Sequence, residues 1–303
     1  SSACARCATE PEPRMPIEFA PLHPLFAAEA RGVDLAGLHD PAALAELRAA
    51  MHRFAVLVFR GQRLDDPGQV AFAERFDGHL HTKTGISALA ANRFGNEALT
   101  DVSNVDADGQ VLPPDDRRRH YSLANRLWHT DASFVEPPGR YSMLSARIVP
   151  PVGADTEFAD MRAAWDALPD AMKQRCEGLR VHHSIAHSRQ TLGFEFSPEE
   201  AERLRGVEQP LVRTNGATGR RSLYLASHAS RIVGWPVPEG RLLLRDLVEH
   251  ATRREFVFSH SWREGDLVIW DNLATMHRAT PFEDARYRRE LRRVTTLDVP
   301  ATA

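Results

Sequence analysis

His129-Thr130-Asp131 is the first place in this 303-residue chain where residue types and spacing suggest chemistry. With 14 histidines and 20 aspartates present, about one His-x-Asp is expected by chance, so the tripeptide alone discriminates little. Its context adds weight: Trp128 precedes it and Ser133-Phe134 follow, a composition that suits extended backbone. Residues i and i+2 of an extended segment point to one side, aiming an imidazole and a carboxylate at a common point. A second imidazole would complete a 2-His-1-carboxylate set, which holds non-haem Fe(II) and leaves positions open for other ligands. His277 is the candidate. The strand-like run Gly265–Asn272 ends in a turn, and a hairpin there would return His277 toward a barrel interior. His182, His183 and His187 also cluster, but with no carboxylate at ligand spacing they read as structural.

A second signal lies near the end of the chain. Arg288, Arg289, Arg292 and Arg293 fall in one strand-like stretch. At period two, one face carries Arg289, Leu291, Arg293, Thr295 and Leu297, and the other Arg288, Glu290, Arg292, Val294 and Thr296. Either face places two guanidinium groups on one side. On a solvated edge they need no explanation. Inside a small barrel they would need anions, and a planar guanidinium grips a carboxylate bidentately. A metal and two arginines together describe a site for a chelating dicarboxylate and a second anionic compound.

The elements that must position these groups are legible in outline. Pro41–Arg53 reads as a helix with Leu44, Leu47 and Met51 on one face, running into the strand Ala55–Phe59. Pro67–Phe76 reads as a second helix, and Gly78–Gly95 as a long polar loop carrying His79, His81 and Lys83. Strand signals recur at 141–149, 222–226, 255–261, 266–270 and 290–299, with helices at 161–168, 198–205 and 240–252. Strict βαβ alternation is absent, as are a G-x-G-x-x-G and a P-loop, so an antiparallel β-core decorated by helices is expected.

Composition narrows the partners. Lys plus Arg total 38 against 41 Asp plus Glu, a net charge of −3 that is too balanced for a protein whose main partner is a nucleic acid. No apolar run nears the roughly 18 residues of a membrane helix, none resembles a signal-peptide core, and three cysteines make no disulfide framework. A cytoplasmic protein with no membrane partner is the expectation. Residues 1–20 read as a flexible N-terminal tail in which the Cys4-x-x-Cys7 pair lacks a second ligand pair for zinc. Residues 21–303 read as a single domain.

At these residues a family likeness emerges. Trp128-His129-x-Asp131, Gly153-x-Asp155-Thr156, Trp270-Asp271-Asn272, His277 and Arg289-x-x-x-Arg293 resemble the taurine dioxygenase family of Fe(II)/2-oxoglutarate-dependent oxygenases. Within that family, Leu22-His-Pro-Leu-Phe26, Val56-Leu-Val-Phe-Arg-Gly-Gln62 and Arg140-Tyr-Ser-Met-Leu-Ser145 resemble most the phenoxyacetate-herbicide dioxygenases, as do Asp160-Met-Arg-Ala-Ala164 and Arg289-Glu-Leu-Arg-Arg293. The resemblance runs from about residue 20 to 298. It implies an α+β fold, mainly β, with a double-stranded β-helix (jelly-roll) core and surrounding helices. It further implies His129, Asp131 and His277 as Fe(II) ligands and as the catalytic centre, with Thr156 and Arg289 gripping the distal carboxylate of 2-oxoglutarate. Arg293, Asn125, His81 and Lys83 are implied on the substrate side. Counting from His277 instead of aligning the strand would select Arg288 in place of Arg289.

The chemistry that the resemblance implies uses O2 to hydroxylate an anionic substrate while 2-oxoglutarate becomes succinate and CO2. With an aryloxyalkanoate the hydroxylated carbon bears the ether oxygen, and the resulting hemiacetal collapses to a phenol and an oxoacid. A taurine-like alkylsulfonate releasing sulfite is the alternative within the family. Outside it stand a cupin-like metalloenzyme that uses no 2-oxoglutarate and a β-barrel that merely binds acidic ligands. Family members usually self-associate, so a homo-oligomer is implied.

Overall fold

The computed structural model describes residues 16–82 and 93–299. Cys4, Cys7 and Lys83 lie outside the described residues. The first helix runs Pro41–Phe54. Asp40 caps it, its carboxylate accepting from the Ala42 and Ala43 amides, and Pro41 occupies the first turn, where its missing N–H costs nothing. Ala55 stops the helix in the left-handed region at φ 56° and turns the chain straight into the strand Val56–Phe59.

A seven-stranded sheet forms the centre. Its order is Glu18–Pro21, Ala28–Arg31, Val56–Phe59, Leu267–Asp271, Gly139–Ile148, Glu290–Leu297 and Thr100–Ser103. Neighbours are antiparallel except Ala28–Arg31 with Val56–Phe59. Alternation sorts its side chains into two layers. Leu57, Phe59, Met143, Ile269 and Val294 face outward against Leu47, Met51, Phe72 and Phe76 of the helices Pro41–Phe54 and Asp66–Asp77. Val56, Val58, Leu144, Val268, Trp270 and Leu291 face the opposite way and meet Phe158.

Phe158 belongs to a three-stranded sheet ordered Val257–His260, Thr156–Asp160 and Thr275–Ala279. The two sheets therefore pack face to face. The outer side of the smaller sheet contributes Ala159 and Met276 to a core shared with Trp165, Leu243 and Leu247. Those residues come from the helices Met161–Asp166 and Val237–Ala251. Burying each such side chain is worth about 1.5–3 kcal/mol, so helices clamp the pair of sheets from both outer sides. The fold is mixed helix and sheet, with the sheets central.

Three expectations need correction. The tail does not reach residue 20: Ile17 is buried and Glu18–Pro21 pairs with Ala28–Arg31. No hairpin returns His277, because Leu267–Asp271 and Thr275–Ala279 belong to different sheets. The turn between them carries the chain across the sandwich. It is held by Leu273 N donating to Asp271 Oδ1 at 2.8 Å and Thr275 Oγ1 donating to Asp271 O at 2.8 Å. Nor is His129–Asp131 a strand: only His129 forms a bridge, and the chain turns from Asp131 with Ala132 at φ 53°.

Candidate active site

The crossover after Asp271 delivers His277 to the gap between the sheets, where the His129 segment meets it. His129 N donates to His277 O at 2.9 Å, and His277 N donates to His129 O at 2.8 Å. The ring centroids lie 4.2 Å apart. Asp131 reaches the same point, with Oδ1 4.0 Å from His129 Nε2 and Oδ2 3.7 Å from His277 Nε2. One ligand atom of each residue lies within 4.8 Å of the others, and all three are buried.

Asn272 organises the carboxylate. Its Oδ1 accepts from Asp131 N at 3.1 Å and from Trp270 Nε1 at 3.0 Å, while its Nδ2 donates to Ser142 Oγ at 2.9 Å. Ser142 Oγ in turn donates to Asp131 Oδ2 at 2.7 Å. A turn residue of one strand and a serine of the next thus fix both the backbone and the side chain of Asp131. Gly139 completes the seat, since a Cβ there would lie 2.8 Å from the Asp131 carbonyl oxygen.

Electrostatics suit a cation. Burial lowers His129 to about 4 and His277 well below the usual histidine value, so both imidazoles are neutral. The Leu127 carbonyl, 2.8 Å from His129 Nδ1, holds the ring proton there and leaves the Nε2 lone pair free. Burial alone would raise the Asp131 carboxyl, but the Arg293 guanidinium and the facing imidazoles hold it down at about 2. Two neutral nitrogens and one ionised carboxylate in a dry gap fit a divalent transition metal that needs no proton removed from its ligands at neutral pH.

Two cavities meet at this cluster. The smaller, about 120 Å³, is bordered by His277, Thr156 and Arg289. The larger, about 420 Å³, is bordered by Asp131, His81 and Phe134. His129, Asn125 and Arg293 border both. Arg289 is buried without an acidic partner among the described residues, and burial lowers its guanidinium to about 10, still charged at neutral pH. Thr156 Oγ1 accepts from Trp262 Nε1 at 3.0 Å, which leaves its own proton to donate. A guanidinium and a free hydroxyl in one small cavity make a receptor for a carboxylate.

Period two in the last strand holds, and the structure separates Arg288 from Arg289. Arg289, Arg293 and Thr295 border the cavities. Arg288 is exposed and pairs with Glu290 at 2.5 Å. Arg293 also touches the cluster: its Nη1 donates to Asp131 Oδ1 at 2.5 Å. His81 is fixed by its main chain, N donating to Thr295 O at 2.7 Å. His182 and His183 stay away from the metal cluster and bond Ser230 and Ser133. Sequence reasoning missed Asn272 as a hub, Ser142 beneath Asp131, and Arg189 and His228 in the larger cavity. Trp270-Asp271-Asn272 was visible as a motif, but its role depends on contacts with residues remote in sequence.

Comparison with known proteins agrees with this geometry. A family described as "Taurine catabolism dioxygenase TauD, TfdA family" matches residues 18–295. The alpha-ketoglutarate-dependent 2,4-dichlorophenoxyacetate dioxygenase of Burkholderia sp. (strain RASC) is 47% identical over 284 residues, covering 93% of this chain and 95% of that one. The (S)-phenoxypropionate/alpha-ketoglutarate-dioxygenase of Sphingobium herbicidovorans is 35% identical, covering 90% and 92%. The crystal structure of AAD-2 in complex with Mn(II) and N-oxalylglycine superposes with a TM-score of 0.90 at 44% identity, covering 93% and 98%. With a family match across nearly its whole length and relatives well above 30% identity, the chain belongs to the TauD, TfdA family of dioxygenases.

Proposed function

We propose that this protein is an Fe(II)- and 2-oxoglutarate-dependent dioxygenase that cleaves aryloxyalkanoates to a phenol and an oxoacid. The observation that carries this reading is the buried His129, Asp131, His277 cluster set between a small cavity with an unpaired arginine and a larger one with aromatic walls. The fold belongs to the proposal as a double-stranded β-helix, which the face-to-face sheets support. So do a single domain following a short N-terminal tail, a cytoplasmic location and self-association. No described helix is long and apolar enough to cross a membrane.

When bound, the ferrous ion with 2-oxoglutarate supplies the oxidation of one substrate C–H bond by O2, with succinate and CO2 as co-products. The chain's own residues set the stage. His129, Asp131 and His277 would hold the ion on one side, leaving the cavity side open. Arg289 and Thr156 would take the distal carboxylate of 2-oxoglutarate, fixing its length across the small cavity. Arg293, which borders both cavities beside Asp131, would face the acidic group of the substrate, with Asn125 and His81 bordering the same space. Holding both reactants beside one ion removes the entropy cost of a multi-component encounter.

The test is a screen of aryloxyacetates, aryloxypropionates and alkylsulfonates with Fe(II), 2-oxoglutarate and ascorbate, in air and under nitrogen. Phenol and succinate should appear together in air and not under nitrogen. Sulfite release from alkylsulfonates without phenol release would move the substrate class, and full activity under nitrogen would refute an oxygenase.

A further inference from the structure

Arg289 and Thr156 both border the small cavity, but only one of them is committed by its own chemistry. A guanidinium carries hydrogen-bond donors alone, whereas a threonine hydroxyl can donate or accept. Trp262 settles which. Its indole Nε1, which has only a proton to offer, donates to Thr156 Oγ1 at 3.0 Å. The hydroxyl proton of Thr156 must then leave in another direction, and among the described residues no hydrogen bond uses it. The small cavity therefore offers donors from both groups.

The indole is held from several directions. The strand Val257–His260 ends at His260, the register partner of Thr156, and Trp262 follows two residues on. Ser261 Oγ donates to Asp155 Oδ2 at 3.0 Å, tying the residue before Trp262 to the residue before Thr156. On the other side Arg263 N donates to Asp266 Oδ2 at 2.8 Å, and Asp266 N donates back to Arg263 O at 3.0 Å. Arg60 Nη1 donates to the same Asp266 oxygen at 2.5 Å. Buried His260 stands edge-on to the indole, 4.6 Å between ring centroids. Both chain neighbours of Trp262 are thus pinned, so the backbone presents the indole to Thr156 in one place. The Gly153-x-Asp155-Thr156 motif gains a physical reason: the Asp155 carboxylate holds Ser261, and its carbonyl accepts at 2.8 Å from the N of Thr280, another residue of the small cavity's wall.

We propose that Trp262 is a positioning residue for the co-substrate: by occupying a lone pair of Thr156 Oγ1 it commits that hydroxyl to donate to the distal carboxylate of 2-oxoglutarate. A hydroxyl that accepts one hydrogen bond donates a stronger one. Together with Arg289 it makes that part of the small cavity a receptor of donors only. Such a receptor selects a 2-oxo acid that ends in a carboxylate over one that ends in a methyl group. This inference rests on the oxygenase reading and deepens it, and Trp262 acts through Thr156.

The experiment measures equilibrium binding under nitrogen to the full chain loaded with Mn(II). 2-Oxoglutarate is compared with 2-oxovalerate, which has the same chain length but a methyl group in place of the distal carboxylate. Trp262→Phe keeps a ring beside His260 and removes the indole N–H. It should weaken 2-oxoglutarate binding about threefold to tenfold, the loss of one neutral hydrogen bond, and leave 2-oxovalerate within about twofold. In a Thr156→Val background the same substitution should cause no further loss, because the two act as one unit. Thr156→Ser, which keeps the hydroxyl, should bind 2-oxoglutarate within about threefold of the wild type. Unchanged 2-oxoglutarate affinity in Trp262→Phe overturns the assignment. So does an equal loss for both acids, or an additive loss beside Thr156→Val, either of which marks a packing role. Should Trp262→Phe fail to fold, Thr156→Ser still decides: a loss as large as that of Thr156→Val shows that the cavity does not use the hydroxyl. A wild type whose 2-oxoglutarate binding ignores Mn(II) refutes the oxygenase reading instead, before Trp262 is at issue.

Discussion

His129 and His277 exchange two main-chain hydrogen bonds, at 2.9 and 2.8 Å, although they come from distant parts of the chain. The bridge fixes the separation of the two imidazoles through backbone geometry, leaving only side-chain rotation to be set. Asp131 is fixed differently, through Asn272 and Ser142. The cluster is therefore preorganised by two independent devices, and variants can separate them.

Asn272→Ala removes the acceptor used by both Asp131 N and Trp270 Nε1. Two buried donors are left unpaired, each costing about 1–3 kcal/mol. Metal affinity should fall by roughly 10- to 100-fold, as expected when a group supporting a ligand is lost. Titration with Fe(II) under nitrogen checks this. Unaltered affinity would show that Asn272 does not hold Asp131 in place.

Arg289→Ala should raise the KM for 2-oxoglutarate by roughly tenfold to a hundredfold with little change in that for the aryloxy acid. Thr156→Val should do the same to a smaller degree, since it loses one neutral hydrogen bond of about 1 kcal/mol. Steady-state kinetics with each substrate varied in turn decides it. A rise confined to the aryloxy acid would mean that the two cavities have been exchanged.

Gly139→Ala introduces a Cβ 2.8 Å from the Asp131 carbonyl oxygen and 3.1 Å from Thr295 Cγ2. The backbone oxygen cannot swing aside, so Asp131 must shift. An overpacking cost of about 1–3 kcal/mol is expected, with weaker metal binding. Thermal unfolding and Fe(II) titration of the same sample read both effects, and wild-type values in both would contradict the close approach.

Asp271 gives a pH signature. Burial raises its carboxyl from 3.8 to about 6. Between those values the native state binds more protons than the unfolded chain, so its contribution to stability falls as pH rises and stays unfavourable above 6. Asp271→Asn keeps an acceptor for Leu273 N and removes the buried charge. It should be more stable than wild type by roughly 1–3 kcal/mol at pH 7, with the gain fading by about pH 4. Calorimetry across that range tests the sign, and an equal loss of stability at both ends would contradict it.

The chain's own pattern revealed the last strand and the first helix because each obeys a local rule. Arg289, Leu291, Arg293 and Thr295 alternate inward, while Leu44, Leu47 and Met51 repeat on one helical face. His129 and Asp131 were legible as a pair from their spacing, although the segment is not a strand: the chain turns at Ala132, and Asn272 and Ser142 hold the carboxylate in place. The strand Thr156–Asp160 was not legible. Five buried residues that include Glu157 and Asp160 read as polar, and their ion pairs with Arg254, Arg278 and Arg162 are contacts through space. The crossover after Asp271 looked like a hairpin because a tight turn does not disclose which sheet receives the next strand. Arg189 was invisible for want of any local pattern: a lone arginine in a short helix stands out only once its place in the larger cavity is seen.

The central claim is that three side chains hold one ferrous ion that in turn holds 2-oxoglutarate. Adding Fe(II) and then 2-oxoglutarate to the protein under nitrogen, and recording the visible spectrum, tests it most directly. A charge-transfer band should grow in for the wild type and be absent from His129→Ala, Asp131→Ala and His277→Ala. A wild type that binds 2-oxoglutarate equally well with and without Fe(II), and shows no band, would contradict the account.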